Sequence, residues 1–215
     1  ATLSSSDTID FVRVFGNVGT VSTPTDGSVT ANKIGTGAVD LTSKVSGVLP
    51  VANGGTGLSN FTASTMTLAT TLATTSGTSV EFTGIPSGVK RISVMFRGVS
   101  SSGTDVGLLV QVGTSSGFKT SGYASTTHWG GGGTSDSTGF SMYGIANANN
   151  ISGIMTIAHM GSNIFVASHS GKYNTSNGMF GGGDVDLGGT VDRVAIKTIS
   201  GGAFDAGSIN IMYES

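Results

Sequence analysis

The side chains able to do chemistry in this chain are few and scattered. Its three histidines are His128, His159 and His169, and none stands in an HxH or HxxxH pair. His159 lies in an apolar run, GIMTIAHM, and reads as a packed or intersubunit histidine rather than a ligand. His169, in SHSGKYN, reads as a turn residue. Asp184 and Asp186 in GGGDVDLGG could offer oxygen ligands, but calcium takes about six to eight, so a solvated loop is the expectation there. Glycoside hydrolysis needs two carboxylates facing each other across a groove, about 5–9 Å apart. Asp184, Asp186, Asp192, Asp205 and Glu214 supply the last third of the chain, and no spacing sets any two of them opposite one another. There is no cysteine, which removes disulfides, thiolate zinc sites and a cysteine nucleophile. No GxSxG occurs in a strand–turn–helix setting. No catalytic residue, metal or cofactor is expected, and the chain is not expected to be an enzyme.

Binding chemistry is better represented. The only tryptophan, Trp129, lies in STTHWGGGGTSDSTG (125–139), which reads as a glycine-dense loop, with Tyr123, His128, Phe140 and Tyr143 around it. A second aromatic stretch runs from Lys172 and Tyr173 to Phe180 among Asn, Ser and Gly. Aromatic rings stack on the apolar faces of sugars, and Tyr and Trp add a polar tip. Tyr123, His128, Trp129, Tyr143, Tyr173 and Phe180 are therefore the candidate ligand-binding residues. The competing reading has Trp129 anchoring its own loop or sealing a subunit contact.

The elements that would carry these residues follow from composition and pattern. Glycine makes up 36 of 215 residues, charged residues 10%, and the net charge is −2. Disordered chains carry more charge and fewer β-branched residues, whereas Val, Ile and Thr here recur in short alternating runs. No basic run extends beyond Lys90-Arg91, which argues against nucleic acid or an anionic membrane surface as partner. No apolar run approaches the roughly 20 residues that span a bilayer, and residues 1–20 do not look like a signal peptide.

From Met66 the alternation predicts about nine strands: 66–75, 79–83, 90–99, 106–112, 138–146, 153–160, 163–168, 191–199 and 207–214. In the third, Ile92, Val94 and Phe96 oppose Arg91, Ser93, Met95 and Arg97. No segment has a sustained helical period with caps, so an antiparallel β-sandwich, jelly-roll-like, is expected over 66–215. Residues 7–15 form a further candidate strand, either the edge of a small sheet or a docking element through Ile9, Phe11, Val12 and Val14. Residues 18–58 repeat small polar residues, one or two branched apolar residues, a Lys and a glycine. Such units are too thin to bury a core within one chain. They are either a flexible linker or a shaft in which several copies wind about one axis. GVLPVANGGTG (47–57) reads as the joint between the two kinds of structure. Pro50 holds Leu49 extended and the Asn-Gly-Gly run allows a reversal.

LPVANGGTGLS (49–59) resembles the linker found repeatedly in tail fibres of tailed bacteriophages, and SVTANKIGTGAVDLTSKVSG (28–47) is similar to the repeats that precede it there. Residues 78–105, 107–123 and 204–215 resemble the distal domain of many phage tail proteins. Residues 128–186 match nothing nameable. The resemblance implies a homotrimeric virion fibre, assembled in the host cytoplasm. It would have a virion-attachment segment at 1–20, a thin intertwined shaft at 21–65 and a receptor-binding β-domain at 66–215. It implies phage tail or baseplate proteins as partners at one end and a bacterial surface glycan or outer-membrane receptor at the other, without membrane insertion. It carries no catalytic residues across. Two alternatives stand beside it: a structural tail or baseplate component making only virion protein contacts, and a capsule depolymerase, for which this chain is shorter than β-helical spikes usually are.

Overall fold

The computed structural model describes residues 4, 6, 23–39, 46–55, 65–104, 106–144, 149–199 and 201–215. The chain divides into two compact units, Ala1–Thr62 and Ala63–Ser215. Ile9, Phe11, Val12 and Val14 lie outside the described residues.

In the first unit no described residue is buried. Single 3-10 turns form at Ala31–Lys33 and Val51–Asn53. Val29, Ile34, Val39, Val48 and Val51 are exposed, Val51 by 70%. The second turn shows what the Gly-Gly pair does. Pro50 is extended at φ −60°, and Gly54 closes the turn in the left-handed region at φ +83°, where a Cβ would be strained. The Gly54 N–H donates to Val51 O and the Gly55 N–H to Pro50 O. A Cβ on Gly55 would fall 1.9 Å from Leu49 O. The turn therefore admits only glycine at 55.

The second unit is all-β, with two antiparallel sheets. The larger holds β1 (Met66–Leu68), β2 (Leu72–Ala73), β4 (Arg91–Ser101), β7 (Tyr123–Trp129), β8 (Gly132–Asp136), β10 (Ile151–Gly161), β11 (Ile164–Lys172), β12 (Gly178–Asp186) and β14 (Phe204–Glu214). Its order is β1-β14-β4-β10-β11-β12-β7-β8, with β2 also on β14. The smaller holds β3 (Ser79–Thr83), β5 (Val106–Thr114), β6 (Gly117–Phe118), β9 (Phe140–Gly144) and β13 (Arg193–Thr198), ordered β3-β13-β5 with β6 and β9 both on β5.

Alternation explains the two faces. On the small sheet Val80, Ile196, Val110 and Phe140 align across four strands, and Phe82, Val194 and Val112 across three. On the large sheet Ile211, Val94 and Met155 form one such row, and Ile92 pairs Ile157. All of these are buried in one shared core. Each such side chain removed from water contributes about 1.5–3 kcal/mol, so the core fixes strand register. A one-residue slip would turn a whole apolar set outward. The β10–β11 hairpin closes on Ser162 and Asn163, both at positive φ (49° and 63°), the two-residue geometry that matches strand twist.

Four expected features differ. Residues 125–139 are not a loop: they form most of β7 and β8. Asp184 and Asp186 lie on β12, with both side chains exposed, and His169 is not a turn residue but is buried in β11. The expected strand over 66–75 is two short ones, β1 and β2.

Candidate functional site

Of the six candidate residues, Tyr123, His128, Trp129 and Phe180 lie on strands of the large sheet, where parity decides the face; Tyr143 lies on β9 of the smaller sheet and Tyr173 just past the end of β11. In β7, Tyr123, Ser125 and Thr127 point inward and are buried, while His128 is exposed. In β12, Met179 is buried and Phe180 is 63% exposed.

The inward residues are committed to packing. Tyr123 meets Phe140 edge-on, with ring centroids 5.0 Å apart. Its phenol oxygen accepts from the Val112 N–H at 3.0 Å and donates to Lys119 O at 3.3 Å. Burial pushes its pKa up to about 12, against the opposing pull of the Val112 hydrogen bond. Tyr173 is buried. Trp129 is not in a loop: it ends β7, half-buried against the core, its ring 5.0 Å from that of Tyr143. Its buried indole N–H finds no acceptor among the described residues. Tyr123, Tyr173 and Trp129 are held in or against the core, and Tyr143 is half-buried beside Trp129.

His169 is buried as well. Its Nε2 is 3.1 Å from the Thr127 hydroxyl, and desolvation lowers its pKa to about 4. The imidazole occupies the space where a side chain on Gly181 would stand: a Cβ there would be 2.5 Å from His169 Cε1 and 2.2 Å from Thr126 O. The glycine run 181–183 that reads as loop is thus a strand whose side-chain space is already taken.

The outward face is where His128 and Phe180 meet. Phe180 lies in register with Ser170 on β11 and with His128 on β7, and His128 with Gly133 on β8. The two rings stack, with centroids 5.7 Å apart and planes 17° from parallel. The imidazole also extends over Gly133, where a Cβ would come within 2.6 Å of Nδ1. Along β12, the residues two places either side of Phe180 are Gly178 and Gly182, so no side chain of β12 itself flanks the ring on that face. The next row across the sheet is Thr156, Ser168, Gly182, Thr126 and Ser135. Its hydroxyls at 168, 126 and 135 are exposed. Rows two residues apart are about 7 Å apart and strands about 4.8 Å apart, the scale of a sugar ring. A concavity of 440 Å³ lined by Ala124, Thr126, Ser135 and Asp136 adjoins this row. An apolar ring face beside exposed hydroxyls and an imidazole can hold a polyhydroxylated ring by stacking and hydrogen bonds.

The sequence reading missed Ser168, Ser170 and Thr126 as partners of Phe180. Alternation within YASTTHW and GMFGGGDVD was the available signal, hidden by the glycines. Among the described residues no three His, Asp or Glu side chains gather as a metal site, and no helix is long and apolar enough to cross a membrane. No protein-family model matches the chain, and no curated protein matches it significantly.

Proposed function

We propose that the chain is a bacteriophage tail-fibre protein that binds a bacterial surface glycan by non-covalent adsorption. Residues 1–20 attach to tail or baseplate proteins, 21–65 wind three copies into a shaft, and the two sheets of 66–215 form a β-sandwich tip. The observation that carries the binding half is the exposed Phe180–His128 stack beside a row of exposed hydroxyls. The shaft rests on the linker residues 49–59 and on the exposed valines of the first unit, which one copy alone leaves in water. Three copies give avidity, so each shelf contributes without high intrinsic affinity. The protein would travel in the virion after assembly in the host cytoplasm.

The test is competition. The purified full chain, added before the phage that carries it, is expected to block adsorption to host cells in proportion to dose, and mass measurement is expected to give three chains per particle. Absence of competition, or a stable monomer, would sink this reading. One observation favours a second reading, a structural tail component: Ile154, Met160 and Val166 are exposed on β10 and β11, as a protein contact would require. A trimer that never competes would select it.

A further inference from the structure

We propose that a groove on the outer face of the large sheet, between the β1–β2 segment and β4, is a subsite for an acidic sugar, its carboxylate held by Arg97. This rests on the glycan reading above and names the class of glycan. The groove measures 410 Å³ and is lined by Leu68, Thr71, Met95, Arg97, Ser208 and Asn210. A water occupies about 30 Å³ of liquid, so the space admits a pyranose ring and its substituents rather than a lone ion.

Its walls are built. The Asn210 side-chain amide donates to Ala69 O and to Thr71 Oγ1, each at 3.0 Å. That ties the β1–β2 connection to β14. Leu68, 62% exposed, and half-buried Met95 supply apolar surface for the C–H face of a ring. Thr71 and Ser208 supply hydroxyls.

The charge is what selects the ligand. Three arginines are described. Arg91 pairs with Glu214 and Arg193 with Asp192, each at 2.7 Å. Arg97 has no carboxylate partner among the described residues. Its cross-strand neighbour is Ser208, and the next carboxylate along β14, Asp205, accepts from the Ser100 hydroxyl. A guanidinium left unpaired in a hexose-sized groove fits a carboxylate, which it can hold through two parallel hydrogen bonds. From Met95 the register crosses Ile154 and Ser170 to Phe180, three strand spacings or about 14 Å. One oligosaccharide can therefore touch both places.

Saturation-transfer NMR on the full chain tests this with three probes: methyl glucuronoside, its methyl ester and methyl glucoside. The glucuronoside is expected to receive saturation and the other two at least about tenfold less, the worth of one charge-assisted bidentate contact. Arg97→Gln is expected to weaken the glucuronoside by the same factor at unchanged melting temperature, while Arg91→Gln leaves it. Equal saturation of ester and acid, no saturation of the acid, or full binding by Arg97→Gln would overturn the subsite. Adsorption lost in Phe180→Ala but unchanged in Arg97→Gln would leave the aromatic shelf standing and remove the acidic-sugar subsite alone.

Discussion

His169 and His128 sit on neighbouring parts of the same sheet, each lying across a glycine, yet on opposite faces. His169 fills the space over Gly181 inside the core, bonded to Thr127, and desolvation holds it neutral. His128 lies over Gly133 outside, stacked on Phe180. The local device is the same: a neighbouring glycine makes room for an imidazole. What differs is the solvent. The inner ring is bound to stability and the outer ring is left available for contact. The same division separates Phe140 from Phe180, and Tyr123 from the exposed hydroxyls of the outer row.

The largest expected effect compares one truncation on both faces. Phe140→Ala should cost about 3–5 kcal/mol in denaturant unfolding and Phe180→Ala less than about 0.5. Comparable losses would erase the distinction between the faces. Next comes pH. His169 has a folded pKa of about 4 against 6.5 unfolded. Its neutral-state contribution is complete above pH 6.5 and is lost as pH falls from 6.5 to about 4, where the unfolded chain binds the extra proton. The loss should be on the order of 3 kcal/mol. His169→Gln should flatten that part of the stability profile; an unchanged slope would show the acid sensitivity lies elsewhere. Tyr123→Phe should cost about 1–3 kcal/mol by leaving the buried Val112 N–H without its acceptor, read from the same unfolding curves. Smallest is Gly133→Ala on the outer face. It should change stability by only a few tenths of a kcal/mol while displacing His128 and lowering adsorption about two- to tenfold, the worth of one ring stack. Stability loss without adsorption loss would make Gly133 a folding residue.

The strands with clean alternation were legible in the sequence. Residues 79–83 are strand as expected, and in β4 and β14 Ile92, Val94, Phe96, Ile209 and Ile211 are buried while Arg91, Met95, Arg97, Asn210 and Met212 are not; Ser93, expected with the latter set, is buried. The strands β7, β8 and β12 were not. Ser, Thr and Gly favour turns locally, and what makes Gly181 a strand residue is the His169 ring, which arrives from another strand. With β7 and β12 unread, the parity that separates His128 and Phe180 from Tyr123 and Trp129 could not be assigned. Aromatic content marks these segments but does not say which rings are buried and which exposed. Arg97 was visible on the outward set of β4, but that it lacks a carboxylate depends on cross-strand neighbours.

The most direct test of the central claim is adsorption competition by Phe180→Ala/His128→Ala, set against the unmodified chain at equal concentration and confirmed equal melting temperature. Loss of competition with the fold intact is the predicted result. Full competition by the double variant would contradict the claim that the outer aromatic shelf meets the host.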